Sequence, residues 1–310
     1  MSPKKTACAD TFSQAVSKEE TILTHSIKIS KGLRILFPYL LLIPAGALLA
    51  VFKLYPIFST LANSFLDDGQ FSLSMYENVL SDPNVWKSLG VTLKFILITI
   101  PLQVVVSFCL GLLVSTTYKG VSFFRTIFFS TFAISTAISV LVWEKIFNYN
   151  SGLFNSILGV FGIELQGFLV SSDQALFCII VMTTWKGCGY WMVFFLSGLK
   201  NIDGSLYESA KIDGANLWKT ITRITLPLMR RVILFVCVAN TTANVLLFAP
   251  VQMSTQGGPQ GSTNLLMYEA YKSAFKYANP GRASALIMIL VIIIGMVCFV
   301  QFKFLNKSEE

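Results

Sequence analysis

The chain has 310 residues, 54% hydrophobic and only 13% charged, with a formal net charge of +8; a soluble domain carries about 25% charged residues. That balance excludes an ordinary water-soluble globular protein. The positive charge gathers at the ends of apolar runs, which leaves a nucleic-acid-binding role little to explain.

In chain order, residues 1–34 read as a polar cytoplasmic tail without the apolar core of a secretory signal. A spanning helix needs about 20 predominantly apolar residues, and six segments meet that length: Ile35–Ile57, Leu89–Val114, Val121–Phe147, Ala175–Leu199, Val232–Val251 and Ala283–Phe304. Residues 305–310 complete the chain as a short cytoplasmic end. An outer-membrane barrel is excluded because runs such as ALIMILVIIIGMVCFV do not alternate between lipid-facing and lumen-facing residues. The fold class is therefore all-α, a polytopic membrane protein with six transmembrane helices. Lys and Arg cluster in the tail, the second loop, the fourth loop and the C-terminal end, so both termini are expected inside. The fifth loop runs against this rule, with Lys272, Lys276 and Arg282 facing Glu269 alone.

Catalytic and metal chemistry has little to stand on. The single histidine, His25, has no second ligand or nucleophile near it, and the six cysteines form no C-x-x-C pair and read as small packing residues. Gly214 to Thr220, GANLWKT, imitates a phosphate-binding loop but carries Trp218 where a glycine must precede the lysine, so the chain itself is expected to bind neither ATP nor any other cofactor or metal. Gly187-Cys188-Gly189 reads as close helix packing through small residues.

Two polar groups interrupt the spans. Asn240, Thr241, Thr242 and Asn244 sit near the middle of the fifth, and Trp185, Tyr190 and Trp191 surround Lys186 in the fourth. Polar groups at that depth face a cavity or bond a neighbouring helix, so both a substrate path and inter-helix packing remain open for them.

Between the fourth and fifth spans runs the polar stretch 203–227. Ser205 and Glu208 have the spacing of a capping box, which predicts a helix starting at Leu206. Asp213-Gly214 should end it, Asn216 should cap a second helix toward Leu226, and Pro227 should stop or redirect the chain. The result is an elbow exposing Leu206, Tyr207, Ala210 and Ile212, either as a docking surface or as an amphipathic piece lying on lipid headgroups.

Glu208-Ser209-Ala210, then Asp213-Gly214-Ala215, then Ile224-Thr225-Leu226-Pro227 resembles the EAA loop of ATP-binding-cassette importer permeases. The similarity runs from about Arg34 to Lys303 and is strongest to the maltose-type carbohydrate permeases, through FFRTIFF (Phe123 to Phe129), WEKIFNYNSGLFNSIL (Trp143 to Leu158), TWKGCGYWMVFFLSGLKNID (Thr184 to Asp203) and TQGGPQGSTNLL (Thr255 to Leu266). Ser209 replaces the first alanine of the triplet, and Ile221 stands where an aromatic is usual. The resemblance implies a type I importer architecture with its permease domain at 35–304, in a bacterial or archaeal cytoplasmic membrane. It implies a second, similar permease, two ATPase subunits holding ATP and Mg, and an external solute-binding protein that delivers a carbohydrate, or glycerol 3-phosphate as the alternative. It also makes the elbow the coupling helix, through Leu206, Tyr207, Glu208, Ser209, Ala210, Asp213, Gly214 and Ala215.

Overall fold

The structure is a computed structural model that describes residues 31–306 apart from positions 68 and 117. Most of the expected tail, and residues 307–310, lie outside the described residues. The chain divides into two compact units, Met1–Thr60 and Leu61–Glu310. α1 (Lys31–Leu49) passes through a π-helical turn at Ala50–Leu54 into α2 (Tyr55–Ser64), within which the division falls. Every side chain from 39 to 58 is exposed. A helix apolar on all faces is one that hydrocarbon or another chain covers.

After α2 the second unit continues with a hairpin of two two-residue strands, β1 (Leu66–Asp67) and β2 (Gln70–Phe71), and a short α3 (Ser74–Ser81). Next comes α4 (Pro83–Ser115), 33 residues or about 50 Å long. Asp82 starts it, accepting from the Asn84 amide at 2.8 Å, with Pro83 in the first turn where a missing N–H costs nothing. Its far end is closed from outside, because Arg125 donates through Nε at 3.0 Å, and through a second guanidinium nitrogen, to the Val114 carbonyl.

Among the described residues, five helical stretches are long and apolar enough to cross a membrane: Tyr39–Ser64, Pro83–Ser115, Ala175–Lys200, Arg230–Met253 and Pro280–Phe304. The predicted third span is not one helix. It is α5 (Val121–Ala133) and α6 (Thr136–Ile146), bent by 99° across Ile134 and Ser135, and it makes the sixth span when the pair is counted as one. No proline or glycine marks the break. What sustains it is Lys186, whose ammonium donates to the Phe132 carbonyl at 3.3 Å and to the Ile134 carbonyl. Lysine at mid-span costs about 2.5 to 3.5 kcal/mol, and a charged hydrogen bond returns about 1.5 to 3 kcal/mol, so two such bonds at a helix C-terminus offset the penalty.

After α7 (Leu153–Val160), α8 (Ala175–Lys200) forms the centre of the bundle with α4. Phe95, Ile96, Ile179, Ile180, Leu286 and Leu290 are sealed in the larger core, and Trp191, Phe195, Met229 and Val236 in a second one. Along its buried face α4 carries Ser88, Thr92, Thr99, Gln103, Ser107 and Gly111 at near four-residue spacing, a stripe of small and polar groups that lets α8 approach closely. The glycines of GCG do the same from α8. A Cβ at Gly189 would sit 1.8 Å from the Phe128 carbonyl oxygen, and one at Gly187 would meet the Gln103 amide at 3.5 Å.

Gly189→Val should therefore push α5 off α8. Because backbone cannot give way as a side-chain tip does, a loss at or above the usual overpacking range of about 1 to 3 kcal/mol is expected. Thermal unfolding in detergent should show a clearly lower midpoint for this variant, and little change for Gly159→Ala, where nothing lies within 4 Å.

Candidate functional site: a locked elbow and two polar regions

α8 leads to α9 (Gly204–Ile212), whose start differs from the sequence expectation. The cap is Asp203, two residues before the capping-box serine, and it accepts from the Ser205 amide at 3.0 Å. That bond holds the Asp203 carboxyl below its usual range. Asp caps as well as Ser, and the earlier residue takes the helix start. Glu208 is thereby released from capping and stands exposed on the elbow.

The end of α9 closes as expected, at Gly214 with φ +69°. The Gly214 amide donates to the Lys211 carbonyl at 3.1 Å and the Ala215 amide to the Ala210 carbonyl at 2.9 Å, the paired bonds of a Schellman closure. Asn216 then caps α10 (Leu217–Thr220), accepting from the Lys219 amide at 2.8 Å. The chain continues through a π turn at Ile221–Thr225 and α11 (Leu226–Leu228) into α12 (Arg230–Val245). Pro227 stands two residues before the turn at Met229 that separates α11 from α12, as the expected stop or redirection requires. It sits in the first turn of α11, where no N–H is required.

Of the side chains expected on the docking face, Leu206 is exposed and Ile212 is 86% exposed. Ala210 is buried, and its carbonyl accepts the Ala215 amide within the elbow itself. Tyr207 is half-buried, and its hydroxyl lies 3.2 Å from that of Thr225. The Thr225 hydroxyl also reaches the Thr220 carbonyl at 3.4 Å, and either hydroxyl of the Tyr207–Thr225 pair can donate to the other. That contact braces the first arm of the elbow to the π turn that leads into α12. Leu217 and Trp218, 77% and 72% exposed, join Leu206 and Ile212 in the apolar surface of the elbow. Behind that surface a groove of about 1170 Å³ runs between the C-terminal ends of α4 and α8, with Leu112, Tyr118, Leu199, Tyr207 and Ile221 among its walls.

The mid-span groups pack inward. Asn244 donates to Gln103 of α4 at 3.1 Å and to the Asn240 carbonyl at 3.0 Å. Thr241 accepts from Gln301 of α15 (Pro280–Asn306) at 2.7 Å. Asn240, Thr241 and Asn244 are buried within the chain, and Thr242 alone of the four is exposed. Tyr190 stacks on Phe132 with centroids 4.4 Å apart, Trp185 meets Trp143 edge-on at 5.8 Å, and Trp191 is buried.

A second polar region lies at the other end of α4. There the segment from Gln256 to Asn264 leads into α14 (Leu266–Tyr271), following α13 (Ala249–Met253). Arg282 pairs with Asp82 at 2.6 Å and Glu269 at 3.4 Å, and Lys272 pairs with Glu269 at 2.6 Å. Asn264 joins Glu269 to Ser88 at 2.9 and 2.7 Å. Burial works to raise the Glu269 carboxyl. The bonds from Asn264 and Lys272, with the charges of Lys272 and Arg282, outweigh it and hold the group below its usual range. The cations that ran against the positive-inside rule are thus mostly neutralised, one of them by Asp82, 200 residues away in sequence.

Asn244→Ala should leave Gln103 and Asn240 short of a partner in a dry seam, at about 1 to 3 kcal/mol. A double-mutant cycle with Gln103→Leu, read by thermal unfolding, should give a coupling of about 0.5 kcal/mol or more. Additive effects would remove the seam as a stabilising unit.

Residues 43–307 match the family described as the binding-protein-dependent transport system inner membrane component. The sn-glycerol-3-phosphate transport system permease protein UgpA of Brucella abortus is 32% identical over 280 residues, covering 88% of this chain and 95% of that protein. The trehalose/maltose transport system permease protein MalF of Thermococcus litoralis is 29% identical over 272 residues, covering 86% and 92%. The lactose transport system permease protein LacF of Rhizobium radiobacter is 30% identical over 277 residues, covering 85% and 92%. Among solved structures, a chain of a bacterial alginate ABC transporter in complex with an alginate pentasaccharide-bound periplasmic protein superposes with a TM-score of 0.79 at 18% identity, covering 89% and 97%. With 265 consecutive residues matched and the bundle reproduced, the chain belongs to the family of binding-protein-dependent transport system inner membrane components.

Proposed function

We propose that this chain is the permease subunit of an importer that moves a carbohydrate into the cytoplasm of a bacterium or archaeon. ATP hydrolysis occurs on two separate ATPase subunits, which hold the ATP and Mg. A second permease completes the pathway, and an external solute-binding protein delivers the cargo. The observation that carries this reading is the elbow, an exposed apolar ridge on a helix locked at both ends and joined through a braced π turn to α12. A stiff piece of that kind transmits displacement at Glu208 and Ile212 to a spanning helix. Lys200, Lys211, Lys219, Arg223, Arg230 and Arg231 support the assignment of this end to the cytoplasm.

Two of the named relatives transport sugars by their descriptions, and one transports sn-glycerol 3-phosphate. Phosphate recognition calls for Arg or Lys free to converge on the path. Lys186 is committed to main-chain carbonyls, which favours a neutral sugar. For the path within this subunit, the exposed stripe of α12 around Thr242 is the better candidate than the buried Asn240 and Asn244.

Gly214→Val strains a left-handed turn by about 1 to 2 kcal/mol, and Glu208→Lys reverses an exposed charge on the ridge. Both variants should insert in the membrane, yet lose the ATPase on purification or hydrolyse ATP without import. Wild-type co-purification and sugar uptake in both would remove the coupling role. A panel of sugars and glycerol 3-phosphate, scored by stimulation of ATP hydrolysis in the complex with its solute-binding protein, separates the two cargo classes.

A further inference from the structure

The polar region at the N-terminal end of α4 is more than a brace. It encloses an open basin of about 550 Å³, walled by Asp82, Lys87, Gln260, Asn264, Lys272 and Arg282 among others. Two carboxylates and two cations in it neutralise one another through the Arg282, Asp82, Glu269 and Lys272 contacts. Lys87 stands apart. Its exposed ammonium donates at 2.6 Å to the Gln260 carbonyl and has no carboxylate partner among the described residues. A carbonyl accepts the hydrogen bond but leaves the ammonium's charge uncompensated, whereas a carboxylate supplies both the acceptor and the opposite charge. The basin therefore has the capacity to accept one more negative charge.

Its surroundings suit a protein partner. Trp86, Phe275 and Tyr277 are all more than half exposed beside it in sequence, and Tyr277 lines it. Exposed aromatics around a polar pocket are the composition of a recognition surface. The basin and the elbow groove lie at opposite ends of one helix, with Lys87 in one wall and Cys109 in the other, about 33 Å apart along α4.

We propose that this basin is the socket in which the extracytoplasmic solute-binding protein seats an acidic side chain, with Lys87 as its counter-charge. The inference rests on the proposed import function. On docking, the carboxylate takes the Lys87 ammonium from the Gln260 carbonyl. The internally paired Arg282 network holds the rest of the socket in shape.

The test uses the complete complex in lipid nanodiscs, with ATP hydrolysis followed against the concentration of its sugar-loaded solute-binding protein. Lys87→Glu should raise the half-saturating concentration of that protein by roughly tenfold, as a reversed rim charge does. It should also flatten the dependence on salt between low and physiological ionic strength, and Lys87→Arg should stay within about twofold of wild type. An unchanged half-saturation in Lys87→Glu overturns the proposal. So does a shift confined to the dependence on sugar at saturating binding protein, since the basin would then handle solute. If the wild-type complex gives no response to any solute-binding protein, the import reading itself fails, and the socket falls with it.

Discussion

A helix broken within a span leaves main-chain carbonyls without their helical partners, and in this chain one lysine answers two of them. Lys186 donates to the carbonyls of Phe132 and Ile134, and the 99° bend between α5 and α6 depends on it. The surroundings follow from that bend. Gly189, three residues along α8, is bare because the Phe128 carbonyl approaches it, and Tyr190 stacks on Phe132 beside the break. The same rule accounts for the two charged residues at the ends of α4. Asp82 holds the start of α4 and Arg125 its end, each at a helix terminus where unsatisfied groups gather.

Sequence reasoning reached whatever depends on local order. The apolar runs are long enough to name the spans, and Asp213-Gly214 followed by Asn216 announces the turn and cap observed in the elbow. It failed where a partner is distant. At the break only Ser135, the N-cap of α6, is a local signal, and the lysine that bonds the Ile134 carbonyl stands 52 residues away. Lys272 and Arg282 looked like an excess of positive charge because Asp82 is 200 residues from Arg282. The capping-box spacing of Ser205 and Glu208 was present but unused, because Asp203 competes for the same role and comes first.

The candidate site was legible in position and only partly in orientation. Of the elbow residues, Leu206, Glu208 and Ile212 project outward, while Ala210 is buried and Tyr207 half-buried. Tyr207 and Ala210, three residues apart, share one face of α9, and Glu208 and Ile212, four apart, share the other, a division that so short a helix does not announce in its sequence. In the fifth span, Asn240 and Asn244 were as compatible with a sugar path as with packing. Gln103, on another helix, tips them toward packing, and it belongs to a polar stripe on α4 that the hydropathy of that span conceals.

Coupling is the centre of the proposed function, in which the ridge from Leu206 to Trp218 receives motion from an ATPase and the Tyr207–Thr225 contact, 3.2 Å between hydroxyls, passes it to α12. The most direct measurement places a single cysteine at Ile212 in an otherwise cysteine-free chain and follows disulfide cross-linking to cysteines in the ATPase cleft, with and without ATP. The account predicts a specific cross-linked pair whose formation arrests uptake and whose reduction restores it. Absence of any cross-link in a complex that still imports sugar would contradict it.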